Sequence, residues 1–475
     1  MDVLREAVLN RSAKPDSLED LVNRLRKHSL RELKLGWYGS DFLNSPRHTG
    51  ILTRAIKQNR SLQTVSIGWR HHHRSSLVRL LRALAKSPAR LTAINFVLGD
   101  WIPSDVLHEL IRAQQSLVQI HFSSVQVRSR DPLTGQWCCP LSPPTASSPS
   151  ASSKLLSTTQ MLTAAFTAPS NNFHQHATTC STCDHSPVTQ FIVHQYHSLP
   201  HWKSLALIDC NLTDADVLQL ADFCHIRGGL ATVCLRGNRR ISGKSLQMLC
   251  QAPILHRLDV SLCELDATDA QCMAAGLARR PWPLTEFAVA GNYRMGGTGV
   301  VDLCRAANVI VKSLDVSYCS VPEPAALQIL QLLSQQQALK SVALHGVHVG
   351  SDAVAMAVKQ LLRGGGLQTL ALNDPNEPKC MSAAQLRTVL EGLKENYEMT
   401  DLRVDSLLFS AEERKVRGEL DFWLRLNHIG RGVVKSGEDW YQVLEDAGNE
   451  NLDSLYWIVR QSPGRFHCKP KSSNN

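Results

Sequence analysis

The strongest constraint on this chain is a strand-like phrase that recurs about every 28 residues. The phrase has Leu or a similar apolar residue at its first, fourth and sixth positions, and Asn or Cys at its ninth. A unit of this length is too thin to bury its own apolar face, so such units stack and share one core. The repeat therefore predicts a solenoid. The clearest copies are Leu230 to Asn238, Leu255 to Cys263, Leu284 to Asn292 and Val311 to Cys319.

Twelve such phrases follow one another at intervals of 25 to 32 residues, with one longer gap after the fourth. The segments between them have apolar residues at helical spacing, as at Leu77, Leu80 and Leu84. We therefore predict an α/β leucine-rich repeat solenoid, a horseshoe with parallel strands on the concave face and helices on the convex face. The phrases begin at Leu30, Leu62, Leu91, Leu117, Trp202, Leu230, Leu255, Leu284, Val311, Leu339, Leu367 and Met399.

The ninth position alternates between Cys and Asn over the best-formed repeats. Over residues 200–408 the chain resembles the ribonuclease-inhibitor-like class of leucine-rich repeat proteins, and residues 28–125 resemble it more loosely. The resemblance implies that Asn side chains at this position hydrogen-bond backbone groups where the chain leaves the strand, with Cys thiols as smaller substitutes. The alternating residues are Cys210, Asn238, Cys263, Asn292 and Cys319.

The step from Leu117 to Trp202 breaks the rhythm. Its middle is rich in Ser, Thr and Pro, and it contains too few apolar residues to offset the entropy of ordering a chain. We predict a largely disordered insertion there. Cys180 and Cys183 have the spacing of half a zinc site, but no second Cys-x-x-Cys completes it. We therefore predict no metal site and no cofactor, with zinc at these two cysteines as the alternative.

The end of the chain departs from the repeat pattern. Its aromatic residues, among them Trp440, Tyr441 and Trp457, suit a helical cap over the last apolar layer. The run from Leu424 to Arg431 resembles the tails of uncharacterised leucine-rich repeat proteins of diatoms and related algae, which implies no activity. The predicted domains are divergent N-terminal repeats at 1–125, the insertion at 126–198, ribonuclease-inhibitor-like repeats at 199–408, and a C-terminal helical cap and tail at 409–475.

The formal net charge of +9 is concentrated at the start of the chain, where residues 1–130 contain 21 Lys and Arg against 10 Asp and Glu. Such a basic quarter suits an anionic partner, or it serves only to keep helices soluble. We find neither a secretory signal nor eighteen uncharged apolar residues in a row, which predicts a soluble intracellular protein with no membrane span. We place it in the cytoplasm, with the nucleus as the alternative, and expect its 14 cysteines to be reduced.

Residues at the third, fifth, seventh and eighth positions of each phrase point away from the core because side chains alternate along a strand. They include Trp and cations in the early repeats and many carboxylates later. Trp37 and Trp69 hold equivalent positions and predict an aromatic anchor. In the alternative interpretation the Asp residues bond their neighbours and the Trp pair covers the first repeats. The predicted protein-binding residues of this concave face are Lys34, Trp37, Trp69, His121, Asp209, Arg236, Asp259, Glu286, Asp315, Tyr318, His345, Asp374 and Arg403.

No enzyme signature is present, neither a Walker loop nor a nucleophile elbow nor a zinc-protease motif. The run Gly364 to Gly366 precedes a strand, so we interpret it as a turn. We predict no catalytic residues and a monomeric scaffold that binds a protein partner on the concave face. One alternative is a GTPase-activating-type regulator of a small GTPase, because one GTPase-activating family also has ribonuclease-inhibitor-like repeats. That family has an acidic tail, whereas the tail of this chain is basic. The other is binding of RNA or anionic lipid by the N-terminal quarter.

Overall fold

The computed structural model describes residues 17–35, 45–69, 74–98, 101–130, 137–138, 189, 192, 202–226, 229–280, 282, 284–306, 311–347, 349–372, 381–404, 410–432, 445, 456–457 and 460. The chain forms two compact units, residues 1–223 and residues 224–475. We call these the first unit and the second unit, and a unit without such a number is a single strand–helix repeat.

In each unit the described strands of the repeats run parallel and follow the order of the chain, five in the first unit and seven in the second. Each begins two residues after the first residue of a predicted phrase, so all twelve predicted strands are confirmed. The first unit contains β1 (Glu32–Leu35), β2 (Thr64–Trp69), β3 (Ala93–Leu98), β4 (Trp101–Pro103), β5 (Gln119–Ser123), β6 (Gln126–Arg130), β7 (Trp137–Cys138) and β8 (Ser204–Ile208). The second contains β9 (Thr232–Cys234), β10 (Arg257–Asp259), β11 (Glu286–Ala288), β12 (Ser313–Asp315), β13 (Ser341–Ala343), β14 (Thr369–Ala371) and β15 (Asp401–Arg403).

A helix follows most of these strands, which confirms the α/β leucine-rich repeat fold. Strands β4, β6 and β7 stand apart in a small sheet of their own. The helices are α1 (Leu18–Arg26), α2 (Pro46–Gln58), α3 (Arg74–Ala85), α4 (Ser104–Ala113), α5 (Asp214–Ile226), α6 (Gly243–Gln251), α7 (Ala267–Ala278), α8 (Gly296–Ala306), α9 (Glu323–Ser334), α10 (Asp352–Arg363), α11 (Ala383–Glu395) and α12 (Ala411–His428).

The core lies under the fourth and sixth positions of the phrases. Leu258, Phe287 and Leu314 are register neighbours on three consecutive strands, and all three are buried. Removing such a side chain from water stabilises the fold by about 1.5–3 kcal/mol. Because each side chain packs between the units before and after it, consecutive units stabilise one another.

Local signals in the sequence define the helix ends. The Ser351 hydroxyl accepts a hydrogen bond from Val354 N at the start of α10, and Ser382 forms a capping box with Gln385 at the start of α11. Gly364 follows the end of α10, and Gly365 has a φ of 85°. This positive φ makes the glycine run a turn that leads into β14, as predicted.

The ninth position links consecutive units through the backbone. The Asn292 amide donates to the carbonyls of Val260 (3.0 Å) and Val289 (2.6 Å). Its oxygen accepts from Cys263 N (2.8 Å) and Leu265 N (3.2 Å) of the preceding unit. The predicted bonding of this Asn to the backbone is therefore confirmed, and Asn238 likewise donates to Leu235 O.

Cys thiols at the same position make similar but fewer bonds. Cys263 Sγ donates to Leu235 O at 3.3 Å and Cys319 Sγ to Val289 O at 3.4 Å, in each case across to the preceding unit. Burial raises the pKa of Cys319 to about 12, so its thiol stays protonated and able to donate. None of the eight cysteines whose side chains are described forms a disulfide. The ribonuclease-inhibitor-like subtype and the algal likeness stay predictions.

Buried amides on the other side of the strands cap the preceding helices. Asn59 donates to Leu25 O at 2.7 Å and Asn396 to Leu362 O at 2.9 Å. Each lies three residues before the first position of a phrase, as does Gln114, which donates to Leu84 O. The last carbonyls of a helix have no partner within it, so these amides satisfy them from the next unit. Sequence reasoning missed this role, although the spacing was visible.

The C-terminal helix α12 closes the second unit with an aromatic cluster. Trp423 meets Trp457 edge-on at 4.4 Å, and the Arg431 guanidinium lies 4.6 Å from the Trp423 ring centre. Arg431 also donates to Asn396 O at 2.6 Å, beyond the end of α11. Trp440 and Tyr441 lie outside the described residues. The boundaries of the predicted cap stay a prediction.

The predicted insertion is described only in part. Strands β6 and β7 fall at its start, and Thr189 and Ile192 are helical. Cys180 and Cys183 lie outside the described residues, so the domain boundaries and the zinc alternative stay predictions. Within the described ranges, no group of three His, Cys, Asp or Glu residues could hold a metal ion, and no helix is long and apolar enough to cross a bilayer.

We expect Asn292→Ala to lower the free energy of unfolding by about 2–4 kcal/mol, because it leaves buried amides and carbonyls of two units without partners. Urea denaturation at neutral pH measures the change. The control Thr298→Ala removes an exposed side chain of α8 and is expected to change stability by less than about 0.5 kcal/mol. Equal effects of the two substitutions would show that the Asn292 bonds do not connect the units.

Candidate interaction surface on the strand face

The residues at the third, fifth, seventh and eighth positions of the phrases form what we call the strand face. In the second unit the strands pair in strict register, so residues at one position lie side by side. At the fifth position the order is Asp259, Ala288, Asp315, Ala343. Two carboxylates therefore alternate with two small side chains across four strands.

Several charges on this face neutralise one another. At the third position, Arg257 of β10 pairs with Glu286 of β11 at 3.1 Å. On β15, Arg403 pairs with Asp401 at 2.7 Å. Such partly exposed pairs add little stability. They do show that two predicted binding residues, Glu286 and Arg403, already have partners within the protein, namely Arg257 and Asp401.

Asp259 and Asp315 bond to their own strands. Asp259 Oδ1 accepts from Ser261 N at 2.9 Å, and Asp315 Oδ1 accepts from Ser317 N at 3.1 Å. The part of the alternative interpretation in which these carboxylates bond neighbouring groups is therefore confirmed, whereas the part in which the Trp pair covers the first repeats stays a prediction. Both side chains are nevertheless half-exposed, and a carboxylate accepts several hydrogen bonds. Each carboxylate can therefore accept further hydrogen bonds from a group that approaches from the solvent.

Backbone conformation at the eighth position decides which side chains protrude. This residue has a positive φ in consecutive units, at 60° for Leu262, 75° for Gly291, 56° for Tyr318 and 74° for Gly346. A Cβ on Gly291 would overlap the Leu262 side chain, and one on Gly346 would lie 2.8 Å from Tyr318 Cδ1. Each glycine therefore makes room for the large side chain of the preceding unit.

Leu262 and Tyr318 are exposed by 44% and 41%, although both are large apolar side chains. Since they lie two units apart, their spacing is about 10 Å at the usual strand separation. Tyr318 stacks on His345 with ring centres 6.0 Å apart and planes 19° from parallel. Tyr318 N donates to His345 O, and His345 N donates to Ser317 Oγ. The backbone that carries the ring pair is thus held by hydrogen bonds.

The strand face of the first unit carries a polar row that is buried at Ser66 and Asn95 and half-buried at His121. Ser66, Asn95 and His121 are register neighbours at the fifth position of β2, β3 and β5. Asn95 Nδ2 donates to Ser66 Oγ at 3.0 Å, whereas Asn95 Oδ1 and His121 Nε2 are buried atoms without a hydrogen-bond partner among the described residues. Burial lowers the pKa of His121 to about 4, so its ring is neutral at physiological pH.

The remaining predicted binding residues are dispersed. Lys34 is exposed and pairs with Glu32 at 3.2 Å, and Asp209 is exposed just after β8. Arg236 is half-exposed after β9. Trp37 and Asp374 lie outside the described residues, as does the side chain of Trp69, so the aromatic anchor of the N-terminal repeats stays a prediction.

The structure brings together Asp259, Glu286, Asp315, Tyr318 and His345 on adjacent strands of the second unit. Their role in binding stays a proposal. Sequence reasoning missed Leu262 as an exposed residue of this face. The available signal was a large residue before Cys in one unit and a glycine before Asn in the next.

Comparisons with known proteins find no matching family model and no similar curated protein. Among solved structures, the leucine-rich repeat protein LegL7 of Legionella pneumophila is 14% identical, with 82% of this chain and 97% of that chain covered and a TM-score of 0.40. An internalin of Listeria monocytogenes is 12% identical, covering 78% and 93%, with a TM-score of 0.32. The matching chain of the yeast Rad7 and Elc1 complex is 10% identical, with 77% of this chain and 88% of that chain covered and a TM-score of 0.38. These likenesses are weak, and the fold assignment depends on the repeats and the parallel sheet of this chain.

We expect the half-buried His121, whose Nε2 is shielded from solvent, to make the fold sensitive to acid. Its pKa is about 4 in the folded state and about 6.5 when unfolded, so the unfolded chain binds the proton first as the pH falls. The resulting stability is complete above pH 6.5 and is lost between pH 6.5 and 4, by up to about 3 kcal/mol.

Urea unfolding from pH 7 to pH 4 tests this expectation, with His121→Gln as the comparison. The variant removes the titrating group while other histidines are unchanged, so its stability should fall less over that range than that of the wild type. Parallel pH profiles for the two proteins would contradict a depressed His121 pKa.

Proposed function

We propose that this chain is a non-enzymatic scaffold that binds a protein partner through the strand face of its second unit. The observation that supports this most directly is the pair Leu262 and Tyr318, two large apolar side chains held exposed at equivalent positions of alternating units. Exposed apolar groups beside charged ones are typical of protein-binding surfaces.

The surface is also pre-organised. The Asn292 amide bonds and the thiol bonds of Cys263 and Cys319 hold the backbone where each strand ends. Tyr318 is additionally fixed by its stacking on His345. A partner that binds such a face orders few new side chains, and less of its binding free energy is lost to conformational entropy.

The chemistry of the face suits recognition better than catalysis. Its carboxylates Asp259 and Asp315 are two strands apart, about 10 Å, on a sheet that is open rather than folded into a cleft. Reaction sites usually exclude water within a cavity. The GTPase regulator and the binding of RNA or anionic lipid stay predictions, as do the monomeric state and the cellular compartment.

Quantitative affinity capture tests the proposal. The full chain and the double variant Tyr318→Ala/His345→Ala are each immobilised and exposed to extract from cells that express the protein, and bound proteins are compared by mass spectrometry. We expect at least one protein to be retained by the wild type and depleted about tenfold or more by the variant, since a hot-spot side chain contributes about 1.4 kcal/mol or more.

The matched control is Met356→Ala, which removes an exposed apolar side chain from α10 in the helix layer. It should retain the same proteins as the wild type. A photo-crosslinking residue at position 262 should label the retained protein, and one at position 356 should not. If every captured protein binds the strand-face variant as well as the wild type, this face is not the binding surface.

A further inference from the structure

We infer that the strand face around Asp259 and Asp315 recognises a basic segment of the partner, with arginine side chains as the preferred contacts. This inference rests on the proposed function, because it names the chemistry that the same face accepts. It depends on where charges are neutralised within the sheet and where they are not.

Asp259 and Asp315 are two acidic groups of this face that the described strands leave without a paired cation. Asp315 has alanine at both register neighbours, Ala288 and Ala343, and Asp259 lies between Cys234 and Ala288. No ion pair to either carboxylate occurs in the described part of the second unit. Two arginines of the second unit are engaged elsewhere, since Arg257 pairs with Glu286 and Arg403 with Asp401.

The neighbouring alanines also leave space. A larger side chain at position 288 or 343 would cover the carboxylates, whereas a methyl group leaves them open to an approaching group from above the sheet. Asp259 and Asp315 are two strands apart, which places them about 10 Å from each other. A partner segment with two cationic side chains at that separation would reach both.

The aromatic pair favours arginine over lysine. The exposed Tyr318 ring stacks on His345. Tyr318 follows β12, the strand that ends at Asp315, and His345 follows the neighbouring strand β13. A guanidinium is planar, stacks on aromatic rings and donates charge-assisted hydrogen bonds to a carboxylate. A lysine ammonium group forms the hydrogen bond to the carboxylate but gains less binding free energy from the aromatic ring. Leu262, exposed three residues after Asp259, supplies an apolar contact for the aliphatic stem of the second cation.

The same charges disfavour a phosphate-bearing partner at this face. Two uncompensated carboxylates repel the backbone of RNA and the headgroups of anionic lipids. The N-terminal quarter, with its excess of Lys and Arg, has the opposite sign. Binding of a polyanion, where it occurs, is therefore not expected to compete with a basic peptide on the second unit.

Peptide display on the intact chain tests the inference. Random twelve-residue peptides are selected against the full-length protein, and enriched peptides are synthesised for fluorescence anisotropy. We expect enriched peptides to contain two Arg or Lys residues and to lose affinity as the salt concentration rises.

Asp259→Asn/Asp315→Asn is the key variant. Asn keeps an oxygen that accepts from Ser261 N or Ser317 N, so the strands retain these bonds while the charges are lost. We expect binding to weaken by about tenfold for each carboxylate. Glu391→Gln/Glu395→Gln removes the same charge from helix α11 and should leave the affinity unchanged. Urea midpoints of both variants verify that the chain is folded.

The outcomes separate the two proposals. Peptides that require Tyr318 and His345 but carry no cation, or that bind the Asn variant as tightly as the wild type, overturn the basic-segment inference and leave the strand face as a binding surface. Selected peptides that are indifferent to both the Tyr318→Ala/His345→Ala and the Asn variants overturn the inference and count against the proposed function as well. Enrichment of cationic peptides that lose affinity only in the Glu391→Gln/Glu395→Gln control would likewise overturn it.

Discussion

Burial of apolar side chains between consecutive units is the interaction on which the rest of this structure depends. Leu258, Phe287 and Leu314 pack side by side because their strands are in register, and none of them would be shielded from water within its own unit. Stacking brings the strand ends and the helix ends of neighbouring units together. The polar groups found there must then be satisfied across the same junction.

Each end of the strand meets that requirement differently. Where the chain leaves the strand, Asn292 and the thiol of Cys263 bond to backbone groups of the adjacent unit. Where it enters, Asn59 and Asn396 donate to carbonyls in the last turn of the helix one repeat earlier, α1 and α10 respectively. The units are therefore tied at both edges of the sheet as well as through the core. Such ties hold the strand face still without using its exposed side chains.

The alternation of Cys and Asn also arranges the exposed face. In the Cys units a non-glycine residue adopts a positive φ just before and just after the Cys, as at Leu262 and Glu264. In the Asn units only glycine stands before the Asn, as at Gly291. Large side chains therefore protrude from every second unit and lie over the glycine between them. The pattern that satisfies the backbone thus sets the spacing of the candidate binding residues.

Much of this could be predicted from single positions in the sequence. The period located all twelve strands because Leu recurs wherever a strand needs a buried face, and Ser382 marked a helix start because its hydroxyl caps the nearest amide. The backbone bonds of Asn292 were implied by a family resemblance. The Arg257 and Glu286 ion pair was not predictable, since it joins residues of different units whose register only the sheet defines. The stacking of Tyr318 on His345 depends on the same register.

The sequence by itself determined the apolar residues of the core and where each repeat strand begins, because those outcomes follow from local hydrophobic spacing. Only the tertiary structure decided which carboxylates of the strand face are neutralised and which are open, and that His121 is buried enough to lose its charge. The physical reason is that charge pairing and desolvation depend on distances between side chains about 28 or more residues apart, which the stacking of units sets.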